Sequence, residues 1–503
     1  MDRALDQNRV LGPPAGPNQV TTTATSPAYM KYLFLAFLLS TPFVNPWVRG
    51  DGVGYYAYAR SLLIDRDLNF ENEYRNGNES FAMSRFDAQG RILPEMFTPT
   101  GRVGNHFTVG PAILWAPVLA TVHLGVLAAN QLGASVPADG NSRPYVLAMA
   151  LATAGYGFLS LLLAFRIACR YFAPQWAFLA TIGIWTASSL PVYMYFNPSW
   201  SHALSAFGVS LFLWYWDGTR LKRTLWQWVI LGLIAGLMGN LYYPNAFLLV
   251  FPAAEIAYLL GSGSAGPARV AVSRGTLILR AGAFAAVFLV ALIPTFMTRQ
   301  IIYGSPFETG YPGVLTWNWS SPKLLEVLFS SNHGIWSWTP ILFPAVIGLF
   351  FLIRRDALLG AGSLLTFLAY YYFISSYPSW DGLSSYGNRF FVSLTPIFIL
   401  GLAALFNALP QWVGKTSRAL LMAGTAVGLL VVWNAAFVFQ WGVHLVPARG
   451  PISWSEMIHN QFVVVPARIT RAVSAYFVDR SGMMNRIEKE DIEQQKSLPV
   501  RGR

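Results

Sequence analysis

Cysteine is almost missing from this 503-residue chain. Cys169 is the single one, so no intrachain disulfide can form. Its place beside Arg166 and Arg170, at the end of an apolar stretch, argues against a catalytic thiol. Charge is scarce too: 12% of residues are Asp, Glu, Lys or Arg, and a soluble protein of this length carries about twice that fraction. The chain has no phosphate-cradling Gly-rich loop, no dinucleotide fingerprint and no G-x-S-x-G elbow. A cytoplasmic nucleotide-driven reaction is therefore not expected. No pair of histidines has the H-E-x-x-H spacing of a zinc site. Residues 1–30 lack the apolar core and cleavage site of a signal peptide. They read as a disordered cytoplasmic tail before an uncleaved first span. No internal repeat is visible.

What is present is apolar. Hydrophobic residues make up 54% of the chain, and the mean hydropathy is +0.42. Apolar stretches of about 18 residues or more recur, against about 20 needed to cross a bilayer as a helix. The short alternating strands of a β-barrel do not occur. The expected class is an all-α polytopic membrane protein with about 11 crossing helices in the region 31–440. The candidates are 31–48, 145–165, 174–193, 202–216, 226–241, 244–260, 280–298, 336–353, 358–376, 390–409 and 418–440. The net charge of +12 does not point to nucleic acid, because the basic residues cluster between apolar spans.

That clustering sets an orientation. Arg166, Arg170, Arg220, Lys222, Arg223, Arg269, Arg274, Arg280, Arg354, Arg355, Lys415 and Arg418 fall in one set of turns. The alternate turns hold Arg143, Arg299, Lys323 and Arg389. The first set belongs in the cytoplasm and the second faces outward. Parity then implies that the apolar stretch 107–130, with Pro111, Pro117 and His123, does not cross. It would lie along the outer interface or dip in and return; the other reading is an exception to the charge rule. Segment 49–106 becomes a large first outer loop, whose run from Tyr55 to Ile64 suits a helix at the headgroup level. The tail 441–503 falls outside, with Glu488–Lys489–Glu490–Asp491 read as a solvated helix end.

The outward loops collect His, Trp, Asp and Arg. Asp51 directly follows the first span, as a general base at the membrane surface or as a helix N-cap. Arg389 is out of place on the outer side, and its planar fork suits a phosphate, although snorkelling from a helix end is the alternative. His106 and His333 can bind phosphate or metal, or shuttle a proton. Trp380, Asp381 and Tyr311 share these loops, and Glu255 is an acid within a span.

The run from Asp51 through Tyr55-Tyr56, Ala59, Leu62-Leu63 and Asp65-Arg66-Asp67 resembles the first outer loop of GT-C glycosyltransferases. That superfamily includes the protein O-mannosyltransferases and the lipid A aminoarabinose transferase. His106 to Pro117 resembles the segment closing that loop, and Ser331-Asn332-His333-Gly334 and Ser385-Tyr386-Gly387-Asn388-Arg389 resemble later blocks of bacterial relatives. The likeness covers the architecture and about a hundred residues of local pattern. It implies inverting transfer of a sugar from a polyprenyl-phosphate donor to a lipid, glycan or protein acceptor. Asp51 would be the general base. Arg389, His333 and His106 would hold the donor phosphate, and Tyr55, Trp380, Asp381 and Tyr311 would contact substrate. A divalent cation is the one cofactor the resemblance allows. Gly52 stands where the second acid of a common pair often is, which puts a metal-bridged arrangement in doubt. The expected setting is a bacterial inner membrane with the site facing outward. The rival reading from another class is a lipid or solute transporter or flippase, for which midplane charges on broken helices would be expected.

Overall fold

The computed structural model describes residues 27–261, 273–311, 313–447 and 450–497. Most of the expected tail, 1–30, lies outside these residues, and 27–30 already belong to the first helix. The described chain is helical, with two isolated β-bridges and no strand. Its helices are α1 (Pro27–Ser40), α2 (Asp51–Arg60), α3 (Glu71–Arg75), α4 (Glu79–Ala82), α5 (Gly110–Gln131), α6 (Arg143–Tyr171) and α7 (Pro174–Thr186). They continue as α8 (His202–Thr219), α9 (Leu225–Leu241), α10 (Val250–Gly261), α11 (Arg274–Ala291), α12 (Ile293–Tyr303), α13 (Leu324–Phe329) and α14 (Ile335–Trp338). The last are α15 (Leu342–Arg355), α16 (Ala357–Ser376), α17 (Thr395–Val413), α18 (Thr416–Gly442), α19 (Trp454–His459), α20 (Val465–Val478) and α21 (Arg480–Ser497).

Among the described residues seven helical stretches are long and apolar enough to cross a membrane: α5, α6, Tyr243–Gly261, α11, α16, Arg389–Val413 and α18. Six of them overlap expected spans. Local chemistry sets their ends. Thr224 and Gln227 form a reciprocal capping box at the start of α9. Asp356 caps α16 through the Leu359 N–H. At the centre, α15 and α17 meet backbone to backbone: a Cβ on Gly348 would stand 1.8 Å from the Gly401 carbonyl oxygen. Glycine is what permits that approach.

The bundle has two distinguishable ends. At the basic end Arg170 pairs with Asp217 at 2.6 Å, Arg220 with Asp356 at 2.5 Å, and Arg223 with Glu255 at 2.9 Å. Glu255 also accepts from the Leu221 N–H, so this acid closes a helix turn. The loops carrying Asp51 and Arg389 gather at the other end.

Segment 107–130 departs from expectation in form. It contains one unbroken helix, α5, with Pro117 inside it, and no re-entrant turn. Its direction is informative. Trp115 donates to Thr153, the Tyr156 hydroxyl to the Leu114 carbonyl, and His123 meets Tyr145, so α5 lies antiparallel to α6. Its start lies at the loop end of α9, where Thr108 donates to the Leu241 carbonyl. From there it runs beside the first half of α6, away from the basic end.

Two further expectations are corrected. The Tyr55–Ile64 run begins as a helix, but residues 52–60 are all buried in a second core made with α5 and the start of α6. It therefore does not lie on the headgroup surface. The acidic run near the C-terminus is not a solvated end: Glu488 accepts from Asn78 Nδ2 (2.9 Å) and the Ser80 N–H (2.7 Å). Asp491 pairs with Arg49, and Glu490 with His444 at 2.6 Å. Residues 454–497 form helices folded back over the loop end.

Candidate active site

Asp51 opens α2 at its first helical position, but its side chain caps nothing, and Gly50 is the cap residue. The carboxylate instead accepts from Arg389 Nη1 at 2.5 Å, across 338 residues of sequence. The Asp51 side chain is 31% exposed and that of Arg389 11%, so the carboxylate is accessible while the guanidinium is largely covered. The helix N-terminus adds partial positive charge beside the carboxylate. The Arg389 guanidinium also lies 4.6 Å from the Trp200 ring. Trp200 in turn donates its indole N–H to the Arg49 carbonyl.

The departure at position 52 has a steric cause. A Cβ on Gly52 would fall 1.9 Å from Ser199 Oγ and 2.6 Å from Ser199 Cβ. No second acid fits there while the 197–202 loop packs as it does. Among the described residues no group of three His, Cys, Asp or Glu side chains could hold a metal ion. The donor set therefore does not fit a divalent cation.

Aromatic rings form one wall. Tyr55 packs on Phe107 with centroids 4.8 Å apart, and His106 meets Tyr311 edge to face at 4.7 Å. Arg299 fixes this wall by donating to the carbonyls of Asn105, His106 and Phe107 at 2.6 to 3.0 Å. That accounts for one of the arginines on the expected outer side. Burial lowers His106 to about 4, against an opposing pull from Asp51. Burial also raises the Tyr55 and Tyr311 hydroxyls well above their ordinary value, with Asp51 adding to the effect. His106 is thus a neutral imidazole at physiological pH, and both tyrosines keep their protons.

His333 sits on a second wall. Its backbone is left-handed, φ +61°, a rare conformation outside glycine. The turn is fastened by Ser337 Oγ and Trp338 Nε1, which donate to the carbonyls of Ser330 and Ser331. The imidazole stacks on Trp338 at 4.5 Å, and both its nitrogens are buried without a hydrogen bond in the chain. Burial lowers this histidine to about 4 as well, although Asp381 pulls the other way. Asn332 links this turn to Asp381, its Nδ2 donating at 2.9 Å. Arg389 Nε, Asn388 Oδ1, Asn332 Oδ1 and His202 Nδ1 are also buried and unpaired within the chain. Buried polar atoms are usually hydrogen-bonded to protein or to ordered water, so these atoms have capacity for a further polar partner.

The structure therefore joins Asp51, Arg389, Tyr55, His106 and Tyr311, with His333 and Asp381 adjoining. Trp380 packs against the main core, and its carbonyl accepts from Asn388 of the loop that carries Arg389. Sequence reading passed over Trp200, whose signal was the polar-aromatic run Asn197–His202, and Arg85, whose charge acts on both Asp51 and His106.

The molecule defined by this fold and site is a polytopic helical bundle with a polar and aromatic cluster around Asp51 and Arg389 at its loop end. No protein-family model matches the chain, and no curated protein does. Among solved structures it is similar to an Archaeoglobus fulgidus oligosaccharyltransferase crystallised with zinc and sulfate, at 15% identity and a TM-score of 0.49. That match covers 84% of this chain and 58% of the other. The archaeal oligosaccharyltransferase AglB of the same organism, in complex with an inhibitory peptide and a dolichol-phosphate, matches at 14% identity and a TM-score of 0.45. Here 88% of this chain and 54% of the other are covered. The chain thus spans little more than half the length of these solved chains.

Proposed function

We propose that this protein is an integral membrane glycosyltransferase of the GT-C type. In this reading eleven helices cross the membrane and α5 stays on the outer side. The site faces outward in a bacterial inner membrane and takes a polyprenyl-phosphate sugar as donor. The observation that carries the reading is the Asp51–Arg389 pair, set among buried unpaired polar atoms and aromatic rings.

The chemistry follows from those groups. The donor phosphate takes over the Arg389 guanidinium, whose fork binds two oxygens at once, and this frees the Asp51 carboxylate. His106 and His333, being neutral, each offer one N–H to the same phosphate. Asp51 then removes the proton of an acceptor hydroxyl as the hydroxyl oxygen bonds to the anomeric carbon. The bond from that carbon to the phosphate oxygen breaks, its electron pair leaves with the lipid phosphate, and Arg389 stabilises the charge. A single displacement inverts the anomeric centre. Tyr55 and Tyr311 provide faces for the sugar ring. No step uses a metal.

Glu255, the one charge that favoured a transporter, is spent on Arg223 and a backbone N–H at the basic end. The test is transfer of label from a panel of radiolabelled polyprenyl-phosphate sugars to membrane extract, comparing wild type with Asp51→Asn. Transfer by wild type alone supports the reading and names the sugar. Equal transfer by both removes Asp51 as base, and no transfer from any donor by folded protein rejects the enzyme.

A further inference from the structure

The C-terminal helix α21 is polar along most of its length, and its buried apolar side chains are Ile487 and Ile492. A helix so polar depends on specific side-chain contacts more than on packing. Those contacts fall on the residues just before Asp51 and on the loop beside them.

Glu488 holds one side of this place. It accepts from the Ser80 N–H at 2.7 Å and from Asn78 Nδ2 at 2.9 and 3.0 Å. Ser80 lies in the first turn of α4, where backbone N–H groups have no partner within the helix. Glu488 thus caps α4 from 408 residues away. A carboxylate can only accept, so it fixes the Asn78 amide with Nδ2 toward α21. That leaves Asn78 Oδ1 for the Gly50 N–H, which donates to it at 3.0 Å. Gly50 is the cap residue of α2, and Asp51 comes next. The turn that aims the carboxylate is therefore held from outside, through Asn78, by Glu488.

Asp491, three residues further along the same face, holds the other side. It pairs with the Arg49 guanidinium, which also lies 4.3 Å from the Trp47 ring. The Arg49 carbonyl accepts from the Gly52 N–H at 2.9 Å and from Trp200 Nε1 at 3.0 Å. The Trp200 ring in turn faces the Arg389 guanidinium at 4.6 Å, an attraction of cation for ring face. Arg389 Nε has no hydrogen bond within the chain, so this ring and Asp51 carry much of the placement of the guanidinium.

We propose that Glu488 and Asp491 are positioning residues for the transfer reaction. Glu488 sets the turn that aims Asp51, and Asp491 sets Arg49 and, through Trp200, Arg389. The link to the reaction rests on the glycosyltransferase reading; the hold of α21 on residues 49–58 does not. Docking of α21 and alignment of the Asp51–Arg389 pair then rise and fall together.

The test uses the full chain in lipid nanodiscs, with Glu488→Ala, Glu488→Gln and Asp491→Ala. Glu493→Ala, on an exposed position of the same helix, is the control. Steady-state transfer is measured with the labelled polyprenyl-phosphate sugar that wild type uses, and hydrogen exchange is mapped by peptide mass spectrometry. A reacting group misplaced by about 1 Å can cost about 10²-fold, so Glu488→Ala should lower kcat about tenfold or more while donor KM holds. Glu488→Gln keeps an acceptor for the Ser80 N–H and should recover much of that loss. Asp491→Ala should also raise donor KM several-fold, because its effect reaches the arginine that meets the phosphate. In both alanine variants exchange over residues 50–58 should quicken several-fold, while α17 keeps its wild-type rate. Glu493→Ala should change none of these. Unchanged exchange over residues 50–58 overturns the inference. So does a loss of transfer that comes with faster exchange in α17 and a lower unfolding midpoint, since the role would then be structural alone. Transfer by wild type that both alanine variants match sinks the inference and leaves the enzyme standing. Faster exchange over residues 50–58 in the variants, with no transfer from any donor by wild type, rejects the enzyme and leaves the hold of α21 standing.

Discussion

Both ends of the bundle place arginine beside carboxylate, yet they treat the pair differently. At the basic end every oxygen is used. Glu255 accepts from Arg223 and from the Leu221 N–H; Asp356 accepts twice from Arg220 and once from the Leu359 N–H. At the loop end one strong bond joins Asp51 to Arg389, and around it lie Arg389 Nε, both nitrogens of His333 and the amide oxygens of Asn332 and Asn388, all unpaired within the chain. A satisfied network fixes turns and fastens helices to one another. An unsatisfied one is costly to keep, because each buried unpaired polar group loses its hydration without compensation. Its retention is explained when a ligand completes it.

That contrast is broken most sharply by paired substitutions. Asp51→Asn keeps the shape and removes the base, so transfer should fall about 10²- to 10⁴-fold while the thermal unfolding midpoint stays put. Glu255→Gln should do the opposite. Side chains of both Glu255 and Arg223 are 1% exposed, and stranding one charge of such a pair costs about 3–5 kcal/mol. The unfolding midpoint should drop while the surviving protein keeps its turnover. A stability loss in Asp51→Asn, or an activity loss without destabilisation in Glu255→Gln, would erase the distinction between the two ends. Arg389→Lys sharpens it further. Lysine keeps the charge and loses the fork, so turnover should fall about 10²-fold, measured at saturating donor.

The sequence told most where the signal was local. Runs of apolar residues placed six of the seven long apolar helices, and the charge rule marked Arg389 and Arg299 as misplaced. Both turned out to be committed, one to a carboxylate and the other to three carbonyls. What stayed hidden depends on contacts between distant parts of the chain. Gly52 reads as a missing acid until Ser199 is seen to occupy the space a side chain would need. Parity of the charge rule suggested a segment along the outer interface or one that dips in and returns, and Pro117 left its form open; tolerance of a proline within one helix is decided by packing on α6. The run Glu488–Asp491 looks solvated in isolation because its partners Arg49, Asn78 and His444 lie elsewhere in the sequence.

The smallest expected effect concerns the contacts that hold α21 over the loop end. Burial by itself would lower His444, but hydrogen bonds and charge from Asp491 and Glu490 outweigh it and hold this imidazole above its ordinary value. A histidine raised in the folded state contributes fully below its unfolded value of about 6.5. The contribution is lost as pH rises through the higher folded value. Arg49 pairs with the same Asp491, so the hold on α21 weakens at high pH without vanishing. Glu490 is half exposed, which keeps the expected change to about 1 kcal/mol or less. Hydrogen exchange over residues 480–497 should therefore quicken between pH 6 and pH 9 beyond the intrinsic acceleration, while α17 in the core should not. His444→Gln should remove that excess. If exchange in α21 keeps to the intrinsic pH dependence in both proteins, His444 plays no part in holding the helix down, and Arg49, Asn78 and Ser80 hold it without His444.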